Sequence, residues 1–228
     1  MRKPTLPLAV AVTAVVGAAL LTGPSLSAKV PPLPDPSKPR AKAFTLTDQN
    51  GNKISLSKFR GQIVVLEWVN FDCPFSRRHY KEGTFKTLYE KYKYGLPTAS
   101  GAASDEKGKK KRRQRVVWLA INSTHYASVE TNKAAAEKYG VPYPILDDHE
   151  GKVGRLYGAK TTPHIFIKAP DGTIAYQGAV DDDPRGEKNP EERVNYVAQA
   201  LEALLKGQPV PTPKTKPYGC TVKYAKLR

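Results

Sequence analysis

Gln62-Ile-Val-Val-Leu-Glu-Trp-Val-Asn-Phe-Asp-Cys-Pro-Phe-Ser-Arg77 is the stretch on which the fold turns. Ile63 to Trp68 are apolar except for Glu67, the pattern of a buried strand. Cys73 follows where the strand gives way to a helix, and Pro74 suits the first helical position because its missing N–H has no intrahelical partner there. A sulfur at that point lies near unpaired amides and the positive end of a helix dipole, which stabilise a thiolate. A buried, inert cysteine is the duller alternative. Ionisation alone achieves little. Lowering a thiol pKa from about 8.5 to about 6 raises the thiolate roughly thirtyfold, and the accompanying fall in nucleophilicity returns about tenfold of it. A reactive Cys73 therefore needs a shaped pocket that positions its substrate.

Outward from this stretch, the periodicities alternate between strand and helix. Phe44-Thr-Leu-Thr and Lys53-Ile-Ser-Leu bracket Asn50-Gly51, a hairpin signal. Phe85, Leu88, Tyr89 and Tyr92 continue the helix after Cys73 at core-face spacing. Val116 to Asn122 is a second near-continuous apolar strand, of the kind a parallel sheet covered on both faces contains. Ser128 caps a helix to Tyr139, where Gly140 and Pro142 end it. A short helix spans Val153 to Tyr157, and Asp171-Gly172 turns a hairpin between His164-Ile-Phe-Ile-Lys and Thr173-Ile-Ala-Tyr-Gln. The last helix is expected to start at Asn189, with Pro190 at its first position and Glu192 completing the cap, and to stop at Gly207. No internal repeat is present, and the order is that of an α/β domain.

Leu56-Ser-Lys-Phe-Arg-Gly61, the strand, the helix-opening cysteine and Thr161-Thr162-Pro163 together resemble the thioredoxin-like redoxins, and within them the peroxiredoxin-like proteins of the alkyl hydroperoxide reductase and thiol-specific antioxidant (AhpC/TSA) group. The likeness runs from about Ala43 to Leu205, and Pro-Tyr-Gly-Cys220 is similar to a tail feature of the subgroup. It implies a thioredoxin-like fold, a central mixed sheet flanked by helices, with an N-terminal hairpin. It implies that Cys73 is the nucleophilic cysteine, that Ser76 stands where a second one would be, that Glu67 is the buried acid that moves protons, and that Pro163 is the cis-proline against the sulfur, with Thr162 beside it. Leu66 and Asn70 stand where the peroxiredoxin signature has proline and threonine; Asn70 retains a hydrogen-bond donor. With no second cysteine nearby, a local dithiol cycle is excluded; on the redox reading, resolution falls to Cys220, a distant thiol reaching Cys73 from a mobile tail, or to an external thiol. The implied partners are a small peroxide or a protein disulfide and an external reductant such as a thioredoxin-like protein. The competing reading is a non-catalytic redoxin-fold binding module, its groove holding an extended peptide and a structural Cys73–Cys220 disulfide stapling the tail.

Arg2 and Lys3, the apolar run Leu6 to Leu21 and a small-residue end at Ala28 have the layout of a secretory signal peptide. Residues 1–28 are read as that signal, 29–42 as a Pro-rich linker, 43–206 as the redoxin domain and 207–228 as a basic tail carrying Cys220. The apolar run is short for a span of about 20 residues, with an uncleaved anchor as the alternative. Export, to the periplasm or the extracellular space, suits a disulfide between the two cysteines. Closing so long a loop would add roughly 5 kcal/mol in the chain-entropy model.

Formal net charge is +16, and Ser104 to Arg115 alone carries seven basic and two acidic residues. Within 95–115 this run reads as a solvated, disordered insertion. It has no aromatic residues to stack bases, so no specific nucleic acid is expected; weak contact with anionic envelope surfaces is the functional alternative. Arg77 and Arg78 oppose the helix dipole in its first turn; Arg77 is a candidate for an anionic substrate, and Arg78 can pair with Glu82. His79, His125, His149 and His164 lack metal-ligand spacing, although His164 follows Pro163 and could approach the thiol. Asp181-Asp-Asp183 reads as an acidic loop capped by turn residues. No metal and no cofactor are expected.

Overall fold

The computed structural model describes residues 37–96 and 115–226. The signal-peptide segment, most of the linker and nearly all of the basic insertion lie outside these residues. Strands β1 (Thr45–Asp48) and β2 (Lys53–Ser55) form the expected hairpin around Asn50-Gly51, with Asp48 accepting the amides of Asn50 and Asn52 at 2.9 and 2.8 Å. After a 3-10 turn at Leu56–Phe59, β3 (Ile63–Trp68) enters the middle of the sheet and is buried throughout.

Beyond Cys73 the chain makes two helices rather than one, α1 (Pro74–Lys81) and α2 (Thr84–Tyr92). Gly83 separates them with φ +72°, a left-handed conformation that glycine adopts without a Cβ penalty. Phe85, Leu88 and Tyr92 nevertheless face the core as their spacing predicts. β4 (Val116–Asn122) runs parallel to β3, and α3 (Val129–Tyr139) is capped by a reciprocal Ser128–Thr131 pair and closed by Gly140.

β5 (Ile145–Asp147), α4 (Lys152–Tyr157), β6 (Thr161–Thr162), β7 (His164–Lys168) and β8 (Ile174–Gly178) follow. The seven-stranded mixed sheet has the order β2-β1-β5-β4-β3-β7-β8, with β3, β4 and β5 parallel. Side-chain alternation divides the core between its faces. Val65, Trp118 and Ile167 pack with α1, α2 and the last helix, while Leu66, Trp68, Leu119 and Phe166 pack with Phe44, Val153 and Val222.

That last helix, α5 (Tyr196–Leu205), is capped by Asn195, whose side chain accepts the Ala198 amide at 2.8 Å. The expected start at Asn189 is displaced because Asp182 exchanges hydrogen bonds with Val194 and Arg193 enters the Asp181–Asp183 cluster. The residues from Asn189 to Glu192 are left in a turn. The tail also departs from expectation. Instead of a mobile arm, it is laid against the body from Pro213 to Ala225 and contributes β9 (Cys220–Thr221), antiparallel to β6. Among the described residues, no helix is long and apolar enough to cross a membrane.

Candidate active site

Where β3 ends, a tight turn aims the sulfur. Asn70 accepts the Asp72 amide on its side chain at 2.8 Å and the Cys73 amide on its carbonyl at 3.1 Å. Cys73 thereby becomes the N-cap of α1, with Pro74 at the first helical position as read from sequence. Its thiol donates to the Thr162 carbonyl at 2.9 Å and is only 2% exposed. The Thr162–Pro163 peptide is cis, as the resemblance implied.

Burial pushes the Cys73 thiol up. The amide of Ser76, the thiol and amide of Cys220, and the Thr162 hydroxyl counter it by donating to the thiolate, and the balance holds Cys73 below the ordinary thiol value. Cys220, opposite Thr162 in the β6–β9 register, is pushed up to about 11 by burial and by the neighbouring Cys73 sulfur. Both are free thiols. Two neighbouring sulfurs of divergent acidity suit one attacking and one leaving or resolving role.

Glu67 is wholly buried on the helix-packed face of β3 and accepts from Tyr80 at 2.7 Å, Trp118 at 2.8 Å and Tyr143 at 3.4 Å. Burial raises its pKa to about 7 despite those three donors. Its hydrogen bonds do not include Cys73. Asn70 donates its amide to Tyr126 at 3.4 Å rather than to the sulfur, so its expected contact with the site is replaced by a turn-building one. Arg77 is exposed and is not among the groups that perturb Cys73. His164 is buried, pushed down to about 4 by burial and Lys160, and accepts the Lys160 amide at 3.2 Å. Among the described residues, no cluster could hold a metal ion.

Sequence reading missed a buried polar network beside the thiols. Tyr218 donates to Asp181 at 2.5 Å, lies 2.8 Å from His79 Nε2 and accepts from Arg78 at 3.3 Å. Arg78 does pair with Glu82, at 3.4 Å, but also lies 3.7 Å from Asp181 and donates to the Asp183 carbonyl at 2.7 Å. Arg193 pairs with Asp183 at 3.0 Å and Glu82 at 3.0 Å. Burial, then Arg78 and Arg193, push the His79 imidazole down to about 3. His79 Nε2 also lies 3.2 Å from Arg78 Nη2, which can only donate. Asp183 caps a turn, as expected, through the amides of Gly186, Glu187 and Lys188. The available signal was Tyr218 two residues before Cys220, but its partners are remote in sequence.

The sequence signature of the AhpC/TSA family matches residues 38–177. A chloroplastic peroxiredoxin Q of Suaeda salsa is 28% identical over 167 residues, covering 71% of this chain and 65% of that protein. The chloroplastic peroxiredoxin Q of Sedum lineare is 28% identical over 166 residues, covering 71% and 75%. Among solved structures, an uncharacterized conserved protein of Geobacillus kaustophilus superposes with a TM-score of 0.67 at 27% identity, covering 88% of this chain and 96% of that one. A secreted disulfide oxidoreductase of Mycobacterium tuberculosis shares the fold, with a TM-score of 0.50 at 18% identity, covering 71% and 96%. A cysteine opening a helix against a cis-proline, on a mixed sheet matched by that signature, places the chain in the AhpC/TSA family, as a thioredoxin-like redoxin of its peroxiredoxin-like subgroup.

Proposed function

We propose that the protein is an exported thiol peroxidase in which Cys73 is the attacking sulfur and Cys220 the resolving one. The observation that carries this reading is the meeting of two free thiols at Thr162, whose carbonyl accepts the Cys73 thiol and which pairs with Cys220 across the β6–β9 ladder. The Cys73 thiolate attacks the terminal oxygen of a hydroperoxide. The O–O bond breaks, Cys73 becomes a sulfenic acid, and the other oxygen leaves as water or an alcohol once protonated. The Cys220 sulfur then attacks the sulfenic sulfur, forming a Cys73–Cys220 disulfide and releasing water. An external dithiol, for which a thioredoxin-like protein is the natural class, returns the pair to thiols by exchange. Export rests on the N-terminal signal layout. Glu67 is assigned to holding a proton below the sheet, and Thr162 and Pro163 to shaping the wall against which the peroxide lies.

The test is one equivalent of hydrogen peroxide on the reduced mature protein, quenched from milliseconds to minutes and mapped by mass without reduction. The expected result is a Cys73–Cys220 linkage within seconds that a dithiol reductant reverses. Two thiols surviving unchanged would sink the peroxidase reading. A linkage that forms slowly and resists the dithiol would make it a staple.

A further inference from the structure

β6 is a two-residue strand beside the reactive sulfur, outside the seven-stranded sheet and paired among the described residues only with β9. Its Thr162 carbonyl accepts the Cys73 thiol. Left bare, such an edge is a template on which an extended polypeptide adds as a strand, which would bring a peptide disulfide onto Cys73. The tail holds that place. Thr221 and Cys220 lie opposite Thr161 and Thr162. Gly219 fits so closely, at φ +121°, that a Cβ there would stand 2.1 Å from the Thr162 carbonyl oxygen.

The segment is fastened on both sides of Cys220. Upstream, Thr215 accepts the Ala179 amide at 2.8 Å and lies 2.7 Å from the Tyr176 hydroxyl, and Tyr218 is clasped by Asp181, His79 and Arg78. Downstream, the Val222 amide donates to Lys160 at 3.1 Å, the Lys223 carbonyl accepts the His125 amide at 2.9 Å, and Tyr224 donates to Ala159 at 2.9 Å. Cys73 is left 2% exposed.

We propose that residues 213–224 are a resident strand that sets the substrate class of Cys73, admitting small hydroperoxides and excluding polypeptide disulfides. The inference rests on Cys73 being the attacking thiol. The sizes of the two reactions differ. Oxygen transfer from a hydroperoxide needs only the Cys220 side chain to move aside. Attack on a peptide disulfide joins Cys73 to one peptide sulfur and expels the other as a thiolate, with three sulfurs in line and backbone on either side. That second arrangement needs the edge of β6 free.

The test is made in Cys220→Ser protein, where no resolving step confuses the reading. The rate of loss of the Cys73 thiol is followed by mass with hydrogen peroxide and with a disulfide-cyclised nonapeptide. The same two probes are then applied after adding Gly219→Ala, which drives the strand off Thr162, or Tyr218→Phe, which opens the clasp. The expected result is a peptide rate raised by about tenfold or more, as the loss of a buried hydrogen bond shifts docked against open tail, with a peroxide rate that does not rise and falls by no more than about tenfold as the residue 220 donors leave the Cys73 thiolate. An unchanged peptide rate in both variants overturns the proposal, as does a parent that takes peptide as readily as peroxide. A peroxide reaction retained within that range also certifies the fold. A Cys220→Ser protein inert to peroxide overturns the peroxidase reading itself, and the gate with it.

Discussion

Residues 62–77 and 213–224 each deliver a sulfur to the same place, and they do so by opposite means. The first is made by neighbours in sequence, with Asn70 turning the chain three residues before the cysteine and Ser76 presenting its amide three residues after it. The second is made by partners far away, since Tyr218 is 37 residues from Asp181 and 139 from His79. The acidities follow from this. Cys73 gains the Ser76 amide and the donors of Cys220 and Thr162 and falls below the ordinary thiol, whereas Cys220 is raised to about 11 by burial and by the neighbouring Cys73 sulfur. Environment, more than residue type, separates the acidities of the two sulfurs.

Replacing one cysteine at a time gives the largest expected effect. Cys73→Ser should reduce peroxide consumption to the buffer background, a loss on the order of 10³-fold or more, because a serine hydroxyl is not ionised there. Cys220→Ser should keep the first turnover and stop, leaving a Cys73 sulfenic acid that dimedone captures and mass spectrometry counts. The division of roles between the two regions collapses if Cys73→Ser still consumes peroxide, or if Cys220→Ser loses the first turnover.

What was legible in the sequence divides along the same line. The strand into Cys73, the Asn50-Gly51 and Asp171-Gly172 hairpins, the Ser128 cap and the Gly140 stop are all settled by residues within a few positions of one another, and all stand in the structure. Glu67 inside an apolar strand was also visible as an oddity. Arg77 and Asn70 were drawn to the site by proximity in sequence, but Arg77 is exposed and the Asn70 amide bonds to Tyr126. The break at Gly83 is local, a glycine in the left-handed conformation that the core-face spacing of Phe85, Leu88 and Tyr92 masked, whereas the late start of α5 depends on tertiary partners, Arg193 and Asp182 among them, that override a good local cap. The clasp on Tyr218 has no local trace, because two arginines, a histidine and two aspartates from three elements or loops must meet first.

Glu67 sharpens the contrast, since its position is local and its environment is not. Its partners Tyr80, Trp118 and Tyr143 come from α1, β4 and the segment before β5. The folded pKa of about 7, raised from 4.5 chiefly by burial, means that the native state binds the proton more tightly than the unfolded chain. Stability from this group is therefore full below about pH 4.5 and is lost as pH rises towards 7, by about 3 kcal/mol. Urea unfolding at pH 4.5 and pH 8 should show that loss in the wild type and not in Glu67→Gln. Parallel curves for the two proteins would mean that the carboxyl does not titrate in this window.

The smallest expected effect probes how the two regions meet. If the Cys220 thiol donates to the Cys73 thiolate, removing that donor must make Cys73 harder to ionise. Cys220→Ala removes it and Cys220→Ser replaces it with a hydroxyl, while both open the site by a similar amount, so any change in burial cancels between them. The midpoint of Cys73 alkylation against pH should lie higher in the alanine variant. Its thiolate fraction at pH 7 should be about tenfold or more lower than in the serine variant, the worth of one hydrogen bond to a charged group. In both, the Ser76 amide remains. Coincident midpoints in the two variants would assign the acidity of Cys73 to the helix start alone, and the tail would then contribute a resolving sulfur and a barrier but no activation.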